Sequence, residues 1–594
     1  MSRPITPASE RIISDLSACL PASALSRAKA AGRWMLVDYE TADGLEGSML
    51  FADPELGAPE LELPLNATGP HRIYLGINYT KSSYGDHLHY AEWSLYGQLE
   101  VRLTSDRGFT RVAAEQAVMD EGRVGSRMGK GKLINRSVQE AYWKTADISG
   151  QSLHFRLPGE PFNNSELRDV ANLAWVRLEP LNTEETAAWR NRAGRTDARR
   201  VAHIYCSGVL TGHIRGTFDY HPASRDWFRH EIQPCMDNDV GVFIFEAIRG
   251  HLCAYHTRIG DVGTEDNHWP ESWIDPLAAF TELGHEAGLK VFASMRMIGA
   301  NYPMQRHPIT WARHFFAHHE WSKRDRDGTP TTSLSLAYPE VRRYWQSLLR
   351  ETLACPIDGI VLYFHRFHPF VLWEEPSVRD FLARYGEDPR KLPEEDPRWI
   401  DHGASYVTAF VREVRQLLDE VRPGLALGAT FFGCPTRYDK SFKTTEQIGS
   451  TEWTRPPGGY FNPKTYGCDV EKWIKDGLVQ YLFPMQHPDI EMLKHLRSLA
   501  GDRVHIWPDV MPRAQPGPGF VQTARRLYEA GTDGLCLNDA ERRAPRLSEW
   551  AVERQLGARD QLDQLEAEAA TYYRRVPLKT LMGYSTRYSF NNFG

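Results

Sequence analysis

The sequence predicts an α/β protein: a (β/α)8 TIM barrel preceded by an N-terminal β-sandwich domain and followed by a short helical C-terminal extension. Three observations lead there. From Val201 onward, apolar strand-like runs alternate eight times with amphipathic helical stretches, the rhythm of a closed parallel barrel. Gly288, Gly424, Gly477, Gly501 and Gly531 each follow a helical stretch just before the next strand, where a left-handed C-cap belongs. Before residue 200 the pattern is different, with short alternating runs separated by Gly, Asn, Asp and Pro, as in a sandwich. An open doubly wound sheet would want a glycine-rich phosphate turn after its first strand, and none is present.

Taken in order, residues 1–33 read as an N-terminal helical segment, one or two short helices between Pro7 and Ala31. Residues 34–199 read as the sandwich and a linker. Its clearest strands are Arg72–Tyr79, Gln98–Leu103, Ser152–Leu157 and Leu173–Leu178, and the Arg- and Glu-rich stretch Asn182–Arg199 is a linker or a surface helix. The barrel occupies 200–557. Its strands are predicted at Val201–Tyr205, Val240–Glu246, Lys290–Met297, Gly359–Phe364, Ala426–Phe431, Leu478–Met485, Val504–Trp507 and Gly534–Asn538. Helices are predicted at Asp226–Asp237, Trp273–Ala287, Pro339–Ala354, Tyr406–Val421, Val470–Asp476, Asp489–Leu499, Gly519–Ala530 and Leu547–Leu556. Residues 558–594 form the extension, a polar helix from Asp560 to Tyr573 and then aromatic-rich irregular sequence, expected to pack on the sandwich or on a neighbouring subunit.

Composition narrows the function classes. A chain of 594 residues exceeds one hydrophobic core, and 41% hydrophobic with 25% charged residues is ordinary globular usage. With 70 Lys and Arg against 77 Asp and Glu there is no basic field, which argues against nucleic acid as a partner. No apolar run approaches the ~18 residues that would suggest a membrane span. The start of the chain lacks the basic and apolar regions of a signal peptide, so a cytoplasmic location is expected, with a removed leader left open. The eight cysteines are scattered without a CxxC; they read as reduced structural thiols, with no zinc site. No metal or cofactor is expected, and a homo-oligomer is compatible with the sequence.

Catalytic groups of such a barrel stand at the C-terminal strand ends and the loops beyond. The loops after strands two to five are long, as functional loops are, and carry Trp269, Trp321, Trp373 and Trp453; such faces suit sugar rings, although part of these aromatics will only pack loops together. Strand two ends on Glu246, with Arg249 close enough to hold it ionised; such a carboxylate is costly to bury without a partner or a task. Arg296 ends strand three, as a substrate clamp or as the partner of such a carboxylate. Tyr363, His365, Arg366 and His368 end strand four, followed by Trp373 and Glu374. Arg437, Tyr438 and Asp439 are weaker candidates after strand five. Gln486 follows strand six, Trp507 and Asp509 belong to strand seven, and Asp539 follows strand eight. Asp509 and Asp539 each offer a second carboxylate or a loop anchor. Glycoside cleavage needs one protonated acid and one ionised group at about 5–9.5 Å. The i, i+3 pair His365 and His368 is not a tight metal chelate.

The segment from Ile357 to Phe367 (IDGIVLYFHRF), its continuation through Glu374–Pro376 and Arg384–Pro389, and the later segments Asp469–Val479 and Tyr528–Leu535 resemble bacterial glycosyl-hydrolase-like proteins with amylase-type, family-10-like barrels. The similarity spans most of Val201 to Gly557, and such enzymes often carry accessory β-domains. The resemblance implies carbohydrate processing, including polysaccharides, without naming a sugar. Amylase-type relatives place an aspartate nucleophile in Leu-Asp-Phe-x-Arg, whereas here Tyr363 stands in the aspartate's place and Arg366 is retained. Either the nucleophile sits on another strand, or the mechanism differs, or only binding remains.

The reading that follows is a glycoside hydrolase, or a closely related carbohydrate-active enzyme. Glu246 and Asp509 form its preferred acid/base and nucleophile pair, with Asp539 as substitute. His365 is a further catalytic candidate; Arg249, Arg296, Tyr363, Arg366, His368, Trp373, Glu374, Gln486 and Trp507 are the substrate-binding candidates. The alternatives are a catalytically degenerate sugar-binding barrel, and a carbohydrate lyase or oxidoreductase using His365 or Tyr363 as base.

Overall fold

The computed structural model describes residues 10–52, 56–78, 99–112, 137–157, 171–193, 195–205, 225–236, 238–262, 273–297, 313–365, 369–434, 460–486, 488–510, 517–538 and 547–586. The candidates Arg366, His368 and Asp539, like Trp269, Trp453 and the 437–439 stretch, lie outside them.

Eight parallel strands form the barrel: β1 (Val201–Tyr205), β2 (Val240–Arg249), β3 (Lys290–Arg296), β4 (Gly359–Tyr363), β5 (Ala426–Phe432), β6 (Tyr481–Met485), β7 (His505–Ile506) and β8 (Leu535–Asn538). They pair in the order β7-β6-β5-β4-β3-β2-β1-β8. The ring is closed beyond β7, where Cys536 N donates to Pro508 O at 2.9 Å and Val510 N to Cys536 O at 3.1 Å. Helices lie between successive strands as the alternation predicts. The main departure is a longer helix before β5, Pro397–Val421, which starts at an Asp396 cap. All five glycines expected to end helices have positive φ, a backbone region that costs glycine nothing.

Strand alternation separates two cores. Outward residues such as Phe243, Phe245, Met295, Leu362 and Phe431 pack with the helices. Inward residues fill the barrel: Ile204, Val242, Ile244, Phe292, Val361, Tyr481, Phe483 and Trp507. Its lower layers are therefore solid, and space for chemistry is confined to the upper strand ends.

The N-terminal domain contains two antiparallel sheets. One is four-stranded (Leu61–Pro64, Ser152–Arg156, Leu99–Leu103, Thr110–Val112), and the other runs through Trp175–Pro180, Pro70–Ile77, Ser137–Asp147, Tyr573–Leu581, Trp34–Thr41 and Glu46–Ala52. Leu63, Val101, Leu103 and Phe155 of the first share a core with Leu36, Leu50, Leu75 and Val176 of the second.

Two expectations need correction. The segment expected to be helical at the N-terminus contains the strand Arg11–Ile13, two single 3-10 turns and Leu25–Ser26. Ile12 and Ile13 pair with the edge strand Trp175–Pro180, and the Asp15 carboxylate accepts from Ser17 N at 3.0 Å, a local bond that competes with a continuing helix. The C-terminal extension does begin with helical turns (Arg559–Gln561, Leu562–Ala569), but it continues as the nine-residue strand Tyr573–Leu581. That strand lies inside the large N-terminal sheet, between Ser137–Asp147 and Trp34–Thr41.

Candidate active site at the barrel mouth

The inward-facing series on each strand ends in polar residues. On β2 the series Val242, Ile244 leads to Glu246, and a β-bulge follows between Glu246 and Ile248. The extra residue, Ala247, shifts the alternation by one. Ile248 then packs outward, and Arg249 falls level with inward Arg296 on β3. Without the bulge Arg249 would point to the helices; with it, Glu246 and Arg249 share one face.

Glu246 is fully buried and ion-paired. Arg296 Nε lies 2.7 Å from its Oε1, Arg296 Nη2 donates to Oε2 at 3.2 Å, and Arg249 Nε lies 3.4 Å from Oε1. Arg296 is thus an ion-pair partner of Glu246, one of the two roles the sequence left open for it. The Arg296 guanidinium also stands 5.4 Å from the centre of the Tyr363 ring. Tyr363 in turn contacts His365 with ring centres 5.3 Å apart. His365 Nδ1 and Thr430 Oγ1 of β5 share a 2.8 Å hydrogen bond. A continuous buried row, Glu246–Arg296–Tyr363–His365–Thr430, thus crosses four adjacent strands.

On the other side of the ring Asp509 is buried and held by backbone. Its N–H donates to Pro484 O at 2.8 Å, and its Oδ1 accepts from Asn538 N at 3.3 Å. Asn538 ends β8 with its carboxamide fully buried. Neither Thr430 nor Asn538 was assigned a role from sequence. The period of two, counted from the apolar inward residues Gly428 and Cys536, is the signal that picks them out.

Other candidates stand elsewhere. Trp507 belongs to the barrel floor, edge-on to Tyr481 at 5.6 Å, and the α-carbon face of Gly534 closes against its indole. It follows directly on the two residues of β7, among the inward residues that fill the barrel. Trp373 is stacked flat on Trp399 (5.6 Å, 7°) within a satellite core containing Phe381 and Leu392. Trp321 is likewise stacked, on His318 at 4.0 Å. Gln486 follows β6 with φ 63°, and its carbonyl accepts from Cys434 Sγ at 2.8 Å.

Glu374 is fully buried and ties loops together, accepting from Ser335 Oγ, Leu372 N at 3.1 Å and Arg324 N at 3.4 Å. Burial raises its carboxyl above the ordinary range, against these bonds. Beside it the buried Lys323 ammonium donates to Pro369 O at 2.6 Å, and burial pushes its amine down to about 8, against the attraction of Glu374. In the unfolded chain a lysine titrates near ~10.4, so between those values the unfolded state binds more protons and stability rises with pH. The handicap is present in full below pH 8. Replacing it by Lys323→Met should therefore change unfolding free energy in a pH-dependent way. Relative to the native protein, the variant is expected to lose about 3 kcal/mol between pH 7 and pH 10.5. Urea titrations at the two pH values check this, and an offset that does not vary with pH would refute it.

Among the described residues no group of three or more His, Cys, Asp or Glu is placed to hold a metal ion, no helix is long and apolar enough to cross a membrane, and seven cysteines are free.

Fold and site together define a (β/α)8 barrel with buried carboxylates at its upper strand ends, one of them, Glu246, ion-paired. Residues 260–488 match the family model described as Glycosyl hydrolase-like 10, so this stretch, containing β3 to β6, is similar to carbohydrate-active proteins of glycosyl hydrolase type. The match includes Arg296, Tyr363 and His365, while Glu246, Arg249, Asp509 and Asn538 lie outside it. No curated protein matches the chain. Among solved structures, α-L-fucosidase isoenzyme 2 from Paenibacillus thiaminolyticus is 12% identical over 63% of this chain and 50% of its own, with a TM-score of 0.36. A β-galactosidase from the psychrophilic Marinomonas ef1 is 11% identical over 62% of each chain, at 0.37. An α-galactosidase from Thermus thermophilus is 13% identical over 92% of this chain and 99% of its own, at 0.33. The chain thus spans about half to three-fifths of the first two structures. At such scores these likenesses bear on neither mechanism nor substrate.

Proposed function

We propose that the protein is a glycoside hydrolase working in the barrel mouth by carboxylate chemistry. The observation that carries this reading is the presence of two buried carboxylates, Glu246 and Asp509, facing inward at the upper strand ends above a solid floor. The glycosyl hydrolase-like match supports it. Ion pairing divides the roles. Arg296 and Arg249 fix the Glu246 carboxylate in place, a placement suited to a nucleophile or base. Glu246 takes that part, and the proton donor is Asp509, with Asp539 as substitute. His365, oriented by Thr430, and Tyr363 position the sugar hydroxyls, as do Arg366 and His368. The substrate is a carbohydrate, and no cofactor is invoked.

A second reading has one observation in its favour. Glu246 is engaged by arginine, and Tyr363 stands where amylase-type relatives carry the nucleophile, so the barrel would bind sugar without cleaving it. A screen of the purified protein on aryl glycosides and polysaccharides separates the two, with Asp509→Asn run in parallel. Hydrolysis by the native protein, reduced by about a hundredfold or more in Asp509→Asn, is the expected result. Sugar binding with no turnover on any substrate, unaltered by the substitution, would overturn the hydrolase reading.

A further inference from the structure

Arg249 has more donors than its surroundings use. Its side chain is 9% exposed, and among the described residues its one ionic partner is Glu246, 3.4 Å from Nε. That oxygen is closer to Arg296, at 2.7 Å, which also reaches the other carboxylate oxygen. As counter-ion to Glu246, Arg249 is therefore surplus. Among the described residues its buried Nη1 has no hydrogen-bond partner. A guanidinium stays charged in a protein and does not escape this cost by losing a proton; a buried cation left unsatisfied is expensive. The chain nonetheless spends a β-bulge at Ala247 to turn this residue inward.

Asn538 repeats the pattern. Its carboxamide is fully buried, and among the described residues neither Oδ1 nor Nδ2 has a hydrogen-bond partner. Ile204 of β1 pairs with Asn538 on one side and with Ile244 of β2 on the other. Asn538 thus lies two strands from β2, in register with Ile244 and therefore deeper along the inward face than Glu246 and Arg249.

The fork of a guanidinium matches a planar carboxylate or a sulfate and binds it through charge-assisted hydrogen bonds, whereas a carboxamide matches hydroxyls as donor and acceptor. We propose that the barrel mouth selects a sugar bearing an anionic group, a uronic carboxylate or a sulfate ester, with Arg249 on the anion and Asn538 on a hydroxyl. This rests on the reading of the mouth as a carbohydrate site and adds the substrate class.

The test is calorimetric titration of the full-length protein with methyl β-D-glucuronide, its uncharged methyl ester, methyl β-D-glucoside and methyl β-D-glucoside 6-sulfate. The expected result is that the glucuronide or the sulfate binds at least about tenfold more tightly than the ester and the glucoside. Which of the two does so identifies the anion. Arg249→Gln should bring that preference below about threefold, while the four-ligand comparison on the native protein stands even if the variant does not fold. Equal binding of charged and uncharged sugars, or no binding of any, overturns the inference. Turnover of aryl glucosides and aryl glucuronides measured alongside keeps the two readings apart. Hydrolysis of the neutral substrate with no preference for charge would sink this inference alone. A charged sugar bound without turnover would uphold it and sink the hydrolase.

Discussion

Glu140→Ala is expected to destabilise the protein by about 3–5 kcal/mol, the cost of breaking a buried charge network from one side. Glu140 is fully buried in the large N-terminal sheet. It accepts from Trp175 Nε1 at 2.6 Å, Arg177 Nε at 2.8 Å and Arg574 Nε at 2.7 Å. Its removal leaves the buried Arg177 without its closest carboxylate and frees the inserted C-terminal strand, which Arg574 holds. Two measurements report on this. Urea unfolding should show a lower midpoint, and trypsin should cut after Arg574 or Arg575 before it cuts the barrel. Glu140→Gln keeps an acceptor and should lose less. An unchanged midpoint with an equally resistant tail would show that the ladder alone holds the strand.

The second large effect concerns Glu246→Gln. Replacing a carboxylate that faces two buried guanidiniums should cost about 3 kcal/mol in stability. If Glu246 touches the reacting sugar, kcat/KM should also fall by at least about a hundredfold. The two effects are separable, because kinetics can be taken at a temperature where the variant is fully folded. A loss of stability with activity within a few-fold of native would make Glu246 a support for Arg296 and leave catalysis to other groups.

The barrel was legible because its information is local. Runs such as Val240–Phe245 and Gly359–Phe364 are apolar on both faces, as strands buried on both sides must be, and glycines punctuate the helix ends. The strand Tyr573–Leu581 was not legible. Its sequence YRRVPLKTL mixes charges with a proline, and only Val576 and Leu578 are buried, against Val37, Tyr39, Val138 and Trp175. What makes it a strand is a gap between two ladders more than four hundred residues away, and no window of sequence contains that. At the site, the strand ends on β2, β3 and β4 could be read from the chain, and so could the nearness of Arg249 to Glu246. The bulge that turns Arg249 inward could not, because Ala247 carries no sign of it. Trp507 shows the same limit. A tryptophan reads alike at the floor and at the mouth, and only the pairing register tells them apart.

The inserted strand also orders events in time. A ribosome releases a chain from its beginning, and at about 5–20 residues per second the interval between the exit of Ser137–Asp147 and that of Tyr573–Leu581 is on the order of half a minute. During it the barrel can mature, while the first domain waits with the edges of Ser137–Asp147 and Trp34–Thr41 unpaired. Such edges recruit strands from other chains. The early part of the chain thus depends on a strand made much later, and the nascent protein needs shielding at this sheet until that strand emerges.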